Sequence, residues 1–211
     1  HTRVVFIANP NNPTGTWLTR AQLQGLIEAL PREVIAVVDV AYSEYVAEPD
    51  YPDCSQWLAQ YPNLIVTRTF SKAYGLAGLR VGYALSHPTI ADLLNRVRQP
   101  FNLNSLAQAA ATAALADKAH VKTGVDLNTA GLAQLTEGLH NRGLTYLPSV
   151  GNFLCLDCGR PAGPVYEALL REGVIVRPIG GYGLPNHLRV SVGLESENEY
   201  FLTALDKVFA A

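Results

Sequence analysis

The sequence predicts an α/β protein with a largely parallel sheet in a large domain, followed by a smaller α+β domain. Two patterns lead there. Over the first hundred residues, short apolar runs bounded by turns alternate with stretches of helical periodicity. This is how strands buried on both faces of a parallel sheet read, with helices crossing between them. In the second half the order of strands and helices becomes mixed, which suits a smaller α+β unit. The boundary is placed near residue 118, giving domains 1–118 and 119–211. A chain of 211 residues has length for one large core or two modest ones.

Val4–Ala8 reads as an apolar strand that belongs inside a sheet. Thr19 starts a helix, with Gln22 completing a capping box. Leu23, Leu26, Ile27 and Leu30 share one face of that helix, and Pro31 closes it. Val34–Val38, Leu64–Val66 and Gly82–Leu85 read as three more strands. Pro88–Val97 is an amphipathic helix with Ile90, Leu93, Leu94 and Val97 on its apolar side. An alanine-rich helix follows over Leu106–Ala119, then another over Val125–Arg142 with Gly143 as its C-cap. Asn152–Leu156, Val174–Val176 and Leu188–Val192 read as strands, and Pro164–Glu172 as a helix. The last helix opens on a Ser196–Glu199 capping box and buries Phe201, Leu202, Leu205 and Val208.

A net charge of -2 points to neither nucleic acid nor an acidic membrane surface as partner. No apolar run reaches the roughly 18 residues of a membrane span. The opening residues lack a basic stretch followed by an apolar core, so the cytoplasm is the expected compartment. The chain contains no methionine, and an uncovered central strand is an unusual start for a domain. An additional amino-terminal portion is therefore expected. Cys155 and Cys158 form a C-x-x-C, but on a strand positions three apart face opposite sides and no second ligand pair exists. No metal site is expected.

The polar chemistry gathers after three of the predicted strands. The first leads into Asn9-Pro-Asn-Asn-Pro-Thr-Gly15, the second into Asp39-Val-Ala-Tyr42, the third into Thr67-Arg-Thr-Phe-Ser-Lys-Ala-Tyr-Gly75. Ligands of open parallel sheets bind beyond the carboxyl ends of the strands. Asp39 ends an apolar run, so its carboxylate is expected to be partly buried and to require a positive partner, such as a protonated pyridine nitrogen. Such a ring is an electron sink for a carbanion. Lys72, among small and hydroxylated residues, suits condensation with an aldehyde. Thr69, Ser71 and the Arg80 fork suit a phosphate, and Asn12 and Tyr42 suit a phenolic oxygen. Taken singly, each has a plainer reading as turn, cap or surface charge.

Asn11-Asn-Pro-Thr-Gly15, Asp39-x-x-Tyr42, and Ser71-Lys72 with Gly75-Leu-x-Gly-Leu-Arg80-x-Gly82 together resemble the class I/II aminotransferases of PLP-dependent transferase fold type I. The likeness runs the length of the chain. It implies pyridoxal 5'-phosphate as cofactor, with the first domain its partial binding domain. Lys72 would carry the cofactor as a Schiff base and move the proton, and Asp39 would face the pyridine nitrogen. Asn12 and Tyr42 would contact the ring hydroxyl, and Thr69, Ser71 and Arg80 the phosphate. Within the group the chain most resembles the histidinol-phosphate aminotransferases, through Thr69–Arg80, Gly151-Asn-Phe153, Val174–Pro178 and Leu188–Gly193. Arg189 would take the substrate's acidic group. Arg177 would join it on a phosphate or form a structural ion pair, and Asn152 would touch substrate or satisfy the start of its strand.

The resemblance implies transamination between histidinol phosphate and 2-oxoglutarate in histidine biosynthesis, by a homodimer. It also leaves room for an aromatic aminotransferase, a threonine-phosphate decarboxylase, or a sensor domain of a transcription regulator. Val40 departs from the Glu often found after the family aspartate.

Overall fold

A computed structural model describes residues 1–210. They form two compact units. One comprises His1–Pro10 and Trp17–Thr123, the other Asn11–Thr16 and the chain from Gly124 onward.

The first unit is built on a four-stranded sheet in the order β1 (Val4–Ala8), β2 (Ile35–Asp39), β3 (Leu64–Thr69), β4 (Gly82–Ser86). β1, β2 and β3 run parallel. β4 runs antiparallel to β3, and a loop holding one short 3-10 turn (Ala77–Leu79) joins them without an α-helical crossover. Helix α1 (Arg20–Ala29) crosses from β1 to β2 and starts on the expected Thr19–Gln22 capping box. It buries Leu23 and Ile27 against Ala36, Val38, Leu64 and Val66. Burial of each large side chain contributes about 1.5–3 kcal/mol, and Leu64→Ala would cost about 2–5 kcal/mol. α2 (Pro88–Val97) and α3 (Ser105–Ala116) follow. Ala107 and Ala111 of α3 pack on Phe70 and Val81, which flank the Lys72 loop.

Two expectations for this unit change. β1 was expected inside the sheet, yet among the described residues it pairs along one edge only, and Phe6 is 78% exposed. α2 has the expected bounds, but Leu93, Leu94 and Val97 stay exposed. Periodicity marks which face is apolar and says nothing about what covers it.

In the second unit an antiparallel sheet runs β5 (Thr145–Leu147), β6 (Phe153–Asp157), β8 (His187–Ser191), β7 (Arg177–Pro178). α4 (Lys118–His140), α5 (Ala162–Arg171) and α6 (Glu195–Ala210) supply Leu135, Leu139, Leu169 and Leu205 to a core shared with Leu154, Leu156 and Leu188. β5 was not anticipated, and Val174–Val176 is not a strand. The Val174 N–H donates to Leu169 O at 2.9 Å and finishes the end of α5, with Gly173 at φ +80°. The strand begins only at Arg177. The start of α6 also differs. Leu194 N donates to Glu197 Oε2 at 2.8 Å and Gly193 N to Asn198 Oδ1 at 2.9 Å. These bonds, in place of a Ser196–Glu199 box, serve the helix start. Cys155 and Cys158 are buried thiols, both pushed up to about 11 by burial.

Candidate active site

In the first unit, the register Ala8↔Asp39↔Thr67 brings the carboxyl ends of three parallel strands level. Alternation then sorts the side chains. Val38 and Val40 enter the core, while Asp39 faces the other way. Asp39 is exposed, not partly buried as the apolar run before it suggested. It is the last residue of β2, past the helix-covered stretch, and its Oδ1 accepts from Ala41 N at 3.0 Å. Tyr42 follows within the turn and is only 5% exposed.

Lys72 lies in the loop that turns β3 back into β4. Thr69 pairs with Gly82, and Phe70 N donates to Val81 O at 3.1 Å, so the loop neck is closed. Gly82 is required there, since a Cβ would lie 2.7 Å from Arg68 O. Within the loop, Phe70 and Ala73 are buried while Lys72 is exposed. Its Nζ sits 5.4 Å from the Tyr42 ring centroid, a cation–π distance. Thr69 Oγ1 accepts from Ser71 N at 3.0 Å. Arg80 is exposed in the left-handed region at φ 54°, with Nη1 donating to Ala77 O at 2.9 Å. Among the described residues, neither Asp39 nor Lys72 has an opposite charge at ion-pair distance.

The other expected site residues belong to the second unit. Arg189 Nη1 donates to Asn12 Oδ1 at 2.8 Å, a charge-assisted bond across 177 positions of sequence. The Arg189 guanidinium lies 5.0 Å from the Phe153 ring centroid. Its Nε is buried with no hydrogen-bond partner. Arg177 is the register partner of Arg189 on the neighbouring strand, so the two project from one face. Like charges directly opposite destabilise a ladder, and no carboxylate pairs with Arg177 among the described residues. The Asn152 carbonyl accepts from Val192 N at 3.0 Å, serving its strand.

Sequence reasoning passed over three features. Asn9 is fully buried: its Oδ1 accepts from Leu18 N at 2.8 Å, and its carbonyl accepts from Tyr51 Oη at 2.5 Å. It ties the end of β1 to the approach to α1, and only the Asn-Pro turn hinted at it. Ser149 packs against Gly15, a contact that no local pattern announces. A cavity of about 310 Å³ in the first unit is lined by Ser43, Glu44, Asp53, Arg68 and Tyr74. Burial raises the Glu44 carboxyl there, with Arg68 partly opposing the rise.

The family model for aminotransferase class I and II matches residues 1–205. The chain belongs to the class I and II aminotransferase family. Histidinol-phosphate aminotransferase 2 of Methylococcus capsulatus is 63% identical over 207 residues, covering 98% of this chain and 56% of that protein. Its counterpart in Pseudomonas aeruginosa is 60% identical over 209 residues, covering 99% of this chain and 57% of the relative. The crystal structure of histidinol-phosphate aminotransferase from Sinorhizobium meliloti in complex with pyridoxal-5'-phosphate is similar, with a TM-score of 0.89 and 34% identity. The match covers 99% of this chain and 57% of that one. The chain thus spans a little over half the length of these aminotransferases. Its architecture is that of the fold-type-I transferases, α/β with a mixed sheet.

Proposed function

We propose that the protein is a pyridoxal-phosphate-dependent transaminase of histidine biosynthesis. It would interconvert histidinol phosphate and 2-oxoglutarate with imidazole-acetol phosphate and glutamate. Identity near 60% to curated enzymes of that name is the observation that carries this reading.

The residues present suit the cofactor. Among the described residues, Asp39 offers a carboxylate without a cation at ion-pair distance, and Lys72 an amine without a carboxylate at that distance. An unpaired carboxylate at a strand end suits a pyridinium, and an unpaired amine suits an aldehyde. Lys72 would hold the cofactor covalently, Asp39 its ring nitrogen, Asn12 and Tyr42 its ring hydroxyl, and Thr69, Ser71 and Arg80 its phosphate. The cofactor supplies an electron sink for the charge left when the α-proton departs. Lys72 Nζ, once the substrate amine has taken its place, would be the free amine that accepts that proton and later returns it. Asp39 would favour a proton on the ring nitrogen. Arg189 binds the acidic group of each substrate, and Arg177 adds a second guanidinium for the phosphate. Asn152 contacts substrate from the neighbouring turn.

On this reading residues 1–118 belong to the cofactor domain and 119–211 to the small domain. The protein is a cytoplasmic homodimer that takes small amino donors and 2-oxo acids, with no nucleic acid or membrane partner. No helix among the described residues is long and apolar enough to cross a membrane. The deciding measurement is the visible spectrum of the cofactor-loaded full chain, as its gene encodes it, on adding amino donors. Histidinol phosphate is expected to bleach the cofactor band at concentrations where phenylalanine and threonine phosphate do not. Equal response to all three defeats the substrate assignment. A Lys72→Ala protein that retains the band in denaturant defeats the cofactor assignment.

A further inference from the structure

Asn11–Thr16 lies between segments of the first unit in sequence but belongs to the second in contacts. The reason is local. Gly15 adopts φ +75°, and a Cβ there would lie 2.0 Å from Ser149 Oγ and 2.4 Å from Ser149 Cβ. The Gly15 carbonyl accepts from Val150 N at 3.0 Å, and its own N–H donates to Asn11 O at 2.8 Å. The segment is therefore a closed turn seated on the Ser149–Phe153 turn. Asn12 projects from the first turn and Arg189 stacks over Phe153 from the second.

The Ser149–Phe153 turn is itself held from below. Ser149 Oγ donates to Phe153 O at 2.5 Å and accepts from Gly151 N at 3.1 Å. Asn128 of α4 is buried, and its Nδ2 donates to Gly151 O at 3.1 Å. Its Oδ1 is buried with no partner. A half-satisfied buried amide costs stability, so packing alone would favour an apolar residue there.

We propose that Gly15, Ser149 and Asn128 are positioning residues that set the Arg189–Asn12 pair for binding the acidic group of the substrate. This rests on the reading of Arg189 given above. Gly15 permits two turns from distant parts of the sequence to touch. Ser149 rigidifies the turn that carries Phe153, the floor under Arg189. Asn128 anchors that turn to a long helix.

The test uses the full chain loaded with pyridoxal phosphate. In that state 2-oxoglutarate binds without a partner reaction, so calorimetry reads its affinity directly. Gly15→Ala is expected to weaken 2-oxoglutarate about tenfold and to raise its KM equally, while kcat changes less than about threefold, as loss of uniform binding does. Ser149→Ala, which removes both Oγ bonds of the turn, is expected to weaken 2-oxoglutarate several-fold with kcat little changed. Unchanged affinity in Gly15→Ala or in Ser149→Ala overturns the proposal. A fall of kcat and melting temperature with KM unchanged also overturns it, since that marks a merely structural role. If Gly15→Ala does not fold, Asn128→Leu decides: a several-fold loss of affinity supports the proposal and an unchanged one overturns it. Arg189→Lys separates the two layers. If it leaves 2-oxoglutarate binding intact, the reading of Arg189 has failed; if it weakens binding while Gly15→Ala does not, only the positioning proposal has.

Discussion

Arg177→Gln should weaken one substrate and leave the fold unharmed. Arg177 sits opposite Arg189 in the β7–β8 ladder, and among the described residues no carboxylate neutralises it. Cross-strand pairs contribute about 0.2–1 kcal/mol, with like charges on the unfavourable side. Arg177 is exposed, so removing its charge should leave the ligand-free protein unchanged or slightly more stable, by at most about 1 kcal/mol. Binding should respond the other way. A hydrogen bond to a charged group is worth about 1.5–3 kcal/mol. That converts to roughly 10- to 150-fold in affinity at about 1.4 kcal/mol per factor of ten.

The assay is steady-state kinetics with histidinol phosphate and with histidinol, which lacks the phosphate, alongside thermal melts without substrate. KM for histidinol phosphate should rise at least about tenfold, by the same arithmetic, while kcat/KM for histidinol barely moves. An equal effect on both substrates would refute the phosphate role. A loss of several degrees in the melt would instead show that Arg177 stabilises the fold.

Two further outcomes follow from packing and burial. Gly124 and Gly131 both lie inside α4, yet a Cβ on Gly124 meets nothing within 4 Å, whereas one on Gly131 lies 2.5 Å from Val192 Cγ1 and 2.9 Å from Asn198 Nδ2. Gly124→Ala should therefore stabilise by about 0.5–1 kcal/mol through helix propensity, and Gly131→Ala should destabilise by about 1–3 kcal/mol through overpacking; urea midpoints of the two variants with the same sign would contradict this. Burial raises the thiols of Cys155 and Cys158 to about 11. The folded state thus holds these protons more tightly than the unfolded one, so their contribution to stability is full below about pH 8.5 and is lost as pH rises toward 11. The fall in urea midpoint between pH 8.5 and about 10.5 should shrink in a Cys155→Ala/Cys158→Ala variant, and an unchanged slope would show that other groups cause it.

Much of the first unit is legible because its signals are local. The Thr19–Gln22 box needs four residues to be read, and the strands declare themselves by unbroken apolar runs. The order of polar residues after β1, β2 and β3 is also visible, since a parallel sheet must bring those ends level. Exposure is less legible. Asp39 looks half-buried from its neighbours Val37 and Val38, but it is the last residue of its strand and its side chain leaves the core. Phe6 and Val97 look like core residues from periodicity alone and are each 78% exposed in the described residues.

The second unit hides more, because its site depends on pairing between segments far apart in sequence. Val174–Val176 has the composition of a strand, yet the first N–H of that run closes a helix end, so the ladder starts at Arg177. That shift matters chemically. It is the register from Arg177 that sets it opposite Arg189 in the ladder, and no property of either segment alone fixes it. The same holds for Asn12. Its neighbours identify a turn, and the partner that gives the turn a role, Arg189, lies 177 positions away. Residue type announces the chemistry available, whereas long-range register decides which charges meet. The Arg177–Arg189 pair makes the point physically. Two residues of like charge in register on neighbouring strands are unfavourable for the ladder, so an anion that binds both would offset that cost.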